Sequence, residues 1–323
     1  MITIASLKEK VFNNINISPD EALGILQTDK CFDLFAAADD IRTHFKGKSI
    51  SLCSIGNVKS GKCSEDCKFC AQSAHYQTDT ITYPLKSGEA IINEVTLSQT
   101  ENKAERFGIV TSGKSVLSDK ELGVICKVLR AYPPGMGKCA SLGTLSYEQC
   151  LTLKEAGLET LHHNLETSRS FFPQICTTHS YDERLQTLLN AKKAGLKLCA
   201  GGIFGLGETL EQRVELAFEL KGVDPDGIPL NFLSPIPGTP LENQLVLKPL
   251  EALKLIAMFR FVHPEKTIRI GGGREKALRS LQPMMFMAGA NAALTGNYLT
   301  TVGKSPKEDQ KMVQDLELIC TKP

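Results

Sequence analysis

A chain of 323 residues, 42% hydrophobic and 23% charged, has room for one large domain or two ordinary ones and the balance of a soluble globular protein. Lys and Arg number 37 against 36 Asp and Glu, so the net charge of +1 gives no footprint for nucleic acid or an anionic membrane. The start, MITIASLKEK, turns charged at Lys8 without the apolar stretch of a secretory signal. The densest apolar run, over 284–294, is broken by Gly289 and Asn291, so no membrane span is expected and a cytoplasmic protein is. Eleven cysteines, an odd count in a reducing compartment, argue against structural disulfides and raise the question of which bind metal.

In chain order, residues 1–48 read as a helical N-terminal extension. Short β-like runs then alternate with helical stretches. Strands are predicted over 50–55, 107–111, 138–142, 160–165, 196–203, 227–232, 267–270 and 291–294. Helical patterns between them include 119–131, 146–156, 181–194, 210–220 and 249–261. Ala156-Gly157-Leu158 and Ala194-Gly195-Leu196 carry glycine where a left-handed residue ends a helix. The repeat length of roughly 30 residues suits βα units. Eight of them predict an α/β fold, a (β/α)8 TIM-type barrel over 49–303. An open doubly wound sheet would favour a Gly-rich turn after the first strand, where cysteines stand instead. The tail over 304–323 is polar and is expected to be loose.

The strongest local signal follows the first strand. Cys63, Cys67 and Cys70 stand at CxxxCxxC spacing on a short loop, and three thiolates can bind three corners of one cubic iron–sulfur cluster. Three ligands leave a fourth iron open, and an open metal position marks catalysis rather than structure. The bland alternative is zinc, which wants a fourth protein ligand; His75 is the only close candidate in sequence. A lone aromatic such as Phe69 would by itself read as packing.

Further blocks share one order along the chain: SGKCSEDCKFC at 60–70, SLGTLS at 141–146, HNLETS at 163–168, CAGGIFGLGET at 199–209, GTPL at 238–241 and FMAGAN at 286–291. On these blocks, from about residue 50 to 301, the chain resembles the biotin synthases of the radical S-adenosylmethionine superfamily. The resemblance implies a [4Fe-4S] cluster on Cys63, Cys67 and Cys70 whose open iron chelates S-adenosylmethionine. It implies that Asn164 and Glu166 hold the ribose and help position dethiobiotin. A carboxylate on ribose hydroxyls accepts two charge-assisted bonds. Arg184 would pair with the methionine carboxylate, a partner that its planar fork suits; taken alone it reads as part of a solvated helix face. Gly202 and Gly205 would let the backbone approach the adenosyl group, and Asn231 would line the substrate pocket. His162 departs from the family pattern, which has an asparagine beside the ureido ring. Dethiobiotin as substrate, reduced flavodoxin or ferredoxin as electron donor, and a homodimer are implied as partners.

The same resemblance implies an auxiliary iron–sulfur cluster, the sulfur donor, held by three cysteines and an arginine. Cys139, Cys199 and Arg269 match three of these ligands. The fourth position is Gly108 here, so a ligand is missing. Cys53 on the first strand is the expected substitute. Each interior layer of such a barrel takes side chains from alternate strands, and Cys53, Cys139, Cys199 and Arg269 fall on strands one, three, five and seven. This holds only if Cys53 points inward, since a one-residue slip reverses every side chain. The auxiliary cluster would be [2Fe-2S] or a four-iron variant. Cys31, Cys126, Cys150, Cys176 and Cys320 match nothing functional, and Cys126 and Cys150 read as helix packing.

The reaction implied is conversion of dethiobiotin to biotin, with catalytic parts for Cys63, Cys67, Cys70 and Arg269. The barrel has to exclude solvent from radical chemistry. The alternative within the superfamily is an enzyme of the hydrogenase-maturation or methylornithine synthase type, which need not keep Cys139, Cys199 and Arg269 together. From another class, a non-catalytic iron–sulfur carrier would have no reason to keep Asn164, Glu166 and Arg184.

Overall fold

The structure, a computed structural model, describes residues 3–114 and 118–321. Among the described residues ten strands form: β1 (Ser49–Lys59), β2 (Arg106–Thr111), β3 (Gly137–Ser141), β4 (Thr160–His162), β5 (Lys197–Cys199), β6 (Gly202–Phe204), β7 (Gly227–Phe232), β8 (Thr267–Ile270), β9 (Ala292–Leu294) and β10 (Ile319–Cys320). They pair in the order β1-β2-β3-β4-β5-β7-β8-β9, β9 returns to β1, and every ladder is parallel, so the barrel closes. Both faces of such strands are covered, which is why they read as apolar runs. Leu52, Ala140, Leu161, Leu198, Ile228 and Ile268 are all buried.

The surrounding helices begin where the chain supplies caps. Ser118 with Glu121, Ser146 with Gln149, Ser180 with Glu183 and Thr209 with Gln212 each form a reciprocal capping box. Gly157 and Gly195 take the positive φ (98° and 78°) expected after their helices. Of the N-terminal helices Ile4–Phe12, Pro19–Gln27 and Cys31–Lys46, the third buries Leu34, Phe35, Ala38 and Ile41, and all three contact the helix Pro249–Val262. Among the described residues no helix is long and apolar enough to cross a membrane.

Two expectations are corrected. The run 196–203 is not one strand: it breaks at Ala200 and Gly201 into β5 and β6, and β6 pairs with β7 and bridges to Glu166. At Gly201 a Cβ would sit 1.9 Å from the Pro229 carbonyl oxygen, so the chain changes course where it meets that backbone. Nor is the tail loose. Ser305 and Glu308 cap the helix Pro306–Asp315, Met312 and Val313 enter the core, and β10 adds to β1. Asp309 and Arg274, both fully buried, pair at 2.6 Å. One side of this helix carries all its buried residues, and the polar majority hid it.

Register decides what the barrel interior contains. Residues paired across a parallel ladder, and residues two apart on one strand, share a face. Cys53 pairs with Arg106, and Gly108, two further on, with Cys139. Cys139 pairs with Thr160, and His162 with Cys199. Cys199 pairs with Gly227, Pro229 with Arg269, and Arg269 with Ala292. Leu294 then pairs with Cys53. The circuit closes on the face it started from, so Cys53, Cys139, His162, Cys199 and Arg269 all point into the barrel.

Candidate active site

A cavity of about 420 Å³ runs down the barrel, and both groups of thiols line it. Cys63, Cys67 and Cys70 lie on the loop that leaves β1. Cys53, Cys139 and Cys199 lie on the strands, on alternate staves of the barrel with Arg269.

The loop is built by local bonds. Gly61 (φ 75°) and Lys62 (φ 51°) turn the chain sharply out of β1. The Cys63 amide then donates to the Gln72 carbonyl (3.0 Å), Ala74 N–H to the Cys63 carbonyl (2.7 Å) and Cys70 N–H to the Cys67 carbonyl (2.9 Å). The two acids inside the motif tether the loop to residues 176–179. Asp66 Oδ1 accepts from Thr177 N–H (2.8 Å), and Oδ2 from the Thr177 hydroxyl (2.5 Å). Burial raises the Asp66 carboxyl, and the Thr177 hydrogen bonds overcome it and hold the group below the usual carboxylate range. Glu65 Oε2 accepts from the Thr178 hydroxyl (2.7 Å) and from His179 Nδ1 (2.5 Å). Burial pushes the Cys70 thiol up to about 11. His75, the zinc candidate, is exposed, with its ring held at the Ser64 carbonyl (2.9 Å).

Beside the loop, Arg184 on the helix Tyr181–Lys193 is half-buried rather than solvated. Its Nε donates to the Asn164 carbonyl (2.6 Å) and its Nη2 to Glu166 Oε1 (2.8 Å). Asn164 donates to Glu166 Oε2 (3.3 Å) and accepts from Gly201 N–H (3.2 Å). Glu166 sits at φ 70°, a left-handed conformation uncommon for a side-chain-bearing residue and one that collects at functional sites.

Gly202 and Gly205 flank Ile203, which lines the cavity. Their missing side chains make room for the protein itself. A Cβ on Gly202 would lie 2.6 Å from the Glu166 carbonyl oxygen, and one on Gly205 would lie 3.1 Å from Leu247. Asn231 lines the cavity, but its amide already bonds Gly272 N–H (2.9 Å) and the Gly202 carbonyl (3.2 Å). His162 lines it too, and burial pushes its ring down to about 4, which keeps it neutral.

Deeper in, burial raises all three interior thiols, Cys139 to about 12. Arg269 Nη1 lies 3.5 Å from Cys199 Sγ, and its Nε has no hydrogen-bond partner among the described residues. A buried guanidinium without an anion is costly, so this site calls for one. Three thiolates around an anionic iron–sulfur core are the kind of group that donor set fits. At Gly108 a Cβ would lie 3.9 Å from the Cys139 Cβ, so that position faces the same chamber.

Sequence reasoning missed Glu65, Asp66, Cys176 and His179. Cys176 Sγ lies 3.7 Å from Cys67 Sγ and 3.2 Å from His179 Nδ1, and its bond to Cys67 helps pull its thiol down to about 4. The available signal was the Cys-Thr-Thr-His run one turn before Arg184. Cys126 and Cys150 are buried helix residues, as expected.

Comparison with known proteins agrees with this geometry. The radical SAM superfamily profile matches residues 57–220, and that of the Biotin and Thiamin Synthesis associated domain matches 229–319. The solved structures of methylornithine synthase (TM-score 0.84, 20% identity, 98% of each chain) and of an [FeFe]-hydrogenase maturase (TM-score 0.84, 16% identity, 98% of this chain and 75% of that one) share the fold. The biotin synthase of Geotalea uraniireducens is 48% identical over 320 residues, 98% of this chain and 97% of that protein. That of Geobacter sulfurreducens is 49% identical over 317 residues, 97% and 96% of the two chains. On a likeness of that extent, the chain belongs to the biotin synthase family of radical SAM enzymes.

Proposed function

We infer that this barrel converts dethiobiotin to biotin by radical sulfur insertion, with the substrate held between two iron–sulfur centres. The observation that carries the reading is the closed register that turns Cys53, Cys139, Cys199 and Arg269 into the cavity already lined by Cys63, Cys67 and Cys70.

In this reading Cys63, Cys67 and Cys70 hold a [4Fe-4S] cluster. Cys53, Cys139 and Cys199 hold the auxiliary one, with Arg269 beside it or bound to it. Cys53 takes the place that Gly108 leaves empty, and a four-iron auxiliary cluster becomes the natural alternative to [2Fe-2S]. When bound, these groups supply the electron that cleaves S-adenosylmethionine and the sulfur atom that is inserted. The chain's own residues bind, orient and shield. Glu166 and Asn164 receive the ribose, and Arg184 receives the methionine carboxylate with the donors left over from its bonds to Asn164, His179 and Glu166. His162, neutral in its buried place, and Asn231 face the substrate. The barrel wall keeps water from the reacting carbon.

The resemblance alone supports two further parts: reduced flavodoxin or ferredoxin as electron donor, and a homodimer. The reading includes a cytoplasmic location, because thiolate-held clusters need a reducing compartment. The test is anaerobic turnover of dethiobiotin by reconstituted protein, wild type against Cys199→Ala. The expected result is biotin from wild type alone, with S-adenosylmethionine cleavage in both. Biotin formation by Cys199→Ala at the wild-type rate would overturn the sulfur-donor site.

A further inference from the structure

We propose that His179 is a positioning residue. It joins the cluster loop to the arginine that receives the methionine carboxylate, through the chain Glu65–His179–Arg184–Glu166. This rests on the parts given above to the loop thiols and to Arg184.

The chain is continuous, and its first two members are buried. Glu65 and His179 are 5% and 7% exposed. His179 Nδ1 lies 2.5 Å from Glu65 Oε2, its Nε2 lies 3.1 Å from Arg184 Nη1, and Arg184 Nη2 lies 2.8 Å from Glu166 Oε1. The ring stands edge-on to Phe172, with centroids 5.5 Å apart, so packing fixes its plane. Glu65 sits between Cys63 and Cys67, and Arg184 is anchored to the Asn164 carbonyl. One imidazole thus spans from the metal-binding loop to the wall of the ribose site.

The partners determine where the ring proton sits. A guanidinium only donates, so Nε2 has to accept, and the proton is on Nδ1, where Glu65 receives it. Burial opposes a second proton on the ring, but Cys176 and Glu65 favour one and the net direction is upward, so it is the Arg184 contact that decides. A proton on Nε2 would face the Arg184 N–H at 3.1 Å, so the neutral Nδ1–H ring is the state the contacts accept.

The same conclusion removes a rival use of this corner. Cys67, Cys176 and His179 bring their ligand atoms within 4.8 Å of one another, a grouping that could suit zinc. In the form set by its partners, Nδ1 carries the proton and Nε2 accepts from Arg184, so neither nitrogen has a lone pair to give a metal. The ring is a strut, not a ligand.

The strut acts on Arg184. Of five guanidinium donors, one goes to Asn164, one to His179 and one to Glu166, which leaves two for an incoming carboxylate. Without the acceptor at Nε2, one Nη1 donor is orphaned, and the fork can rotate away from the pose that a bidentate partner requires. The loop also loses its link to the site that must lie at a fixed distance from it.

The test compares His179→Leu, which fills the space without donor or acceptor, with His179→Gln, which keeps one of each. Both are read for iron content, for KM and kcat with S-adenosylmethionine, and beside Arg184→Ala. We expect His179→Leu to keep the loop cluster and raise the S-adenosylmethionine KM by about 10-fold or more with little change in kcat, the scale of one hydrogen bond to a charged group. His179→Gln should recover most of that loss. In an Arg184→Ala background, His179→Leu should add little, because both act through one chain. Native affinity in His179→Leu, equal losses in the Leu and Gln variants, or full additivity with Arg184→Ala would overturn the proposal. If Arg184→Ala itself binds S-adenosylmethionine normally, the assignment of Arg184 fails first, and the strut with it. Nitrogen-15 resonances of His179 in the full wild-type chain give a test independent of any variant: the Nδ1–H form is expected, and the Nε2–H form contradicts it.

Discussion

The two thiol groups of this barrel are built by opposite means. Cys63, Cys67 and Cys70 are neighbours in sequence, and a loop of eight residues, tethered by Glu65 and Asp66, brings them together. Cys53, Cys139 and Cys199 stand far apart in sequence and meet only because ladders β1 to β9 close in register. A site on a loop depends on a few side-chain bonds. A site on strands depends on the whole barrel, and a single slip would turn its thiols outward.

Substitutions can break this comparison. The largest effect is expected from Cys70→Ala, which should abolish S-adenosylmethionine cleavage and biotin formation together, by about 1,000-fold or more, as loss of a group that acts as a unit does. Cys139→Ala should abolish only biotin formation. If Cys139→Ala also stopped S-adenosylmethionine cleavage, the two sites would not be separable. A finer test moves the ligand. Cys53→Ala should lose the auxiliary-cluster absorbance, and adding Gly108→Cys should restore a cluster, because that Cβ faces Cys139. It has to displace only the Ile55 methyl, 3.1 Å away. Unchanged absorbance in Cys53→Ala would remove Cys53 from the site.

Arg269→Met sharpens the contrast through stability. Without a cluster, the buried guanidinium lacks an anion, so the variant's cluster-free form should melt higher, by about 1–4 kcal/mol of stability. The loaded form should lose turnover. A lower melting point of the cluster-free variant would show that the interior thiols already satisfy the cation. The smallest effect concerns His162. Its folded pKa lies below the unfolded value, so it contributes stability that is present above about pH 6.5 and is lost as pH falls through about 4. Acid unfolding of His162→Asn should therefore be less steep between those limits than that of wild type, and equal slopes would contradict the burial.

What could be read from the sequence follows the same division. The barrel was legible because buried parallel strands and glycine-stopped helices repeat. The loop thiols were legible because their spacing is local. Cys53 needed the strand count and the vacancy at Gly108, and its inward direction needed the ladder itself. Glu65, Asp66 and His179 were hidden because acids in a cysteine loop read as solvated charges, while their partners lie more than 100 residues on. At Gly202 and Gly205 the sequence shows that something comes close, but not that the Glu166 carbonyl and Leu247 do. The tail helix was hidden by Asp309, a buried acid whose partner Arg274 lies 35 residues away.

The claim on which the rest depends is a second metal centre gripped by strand cysteines. Iron and sulfide per chain, with Mössbauer spectra, should be compared between wild type and the triple variant Cys53→Ala, Cys139→Ala, Cys199→Ala after anaerobic reconstitution. About eight irons in wild type, or about six with a two-iron auxiliary centre, should fall to about four in the variant. The same iron content and the same spectrum in both proteins would contradict it.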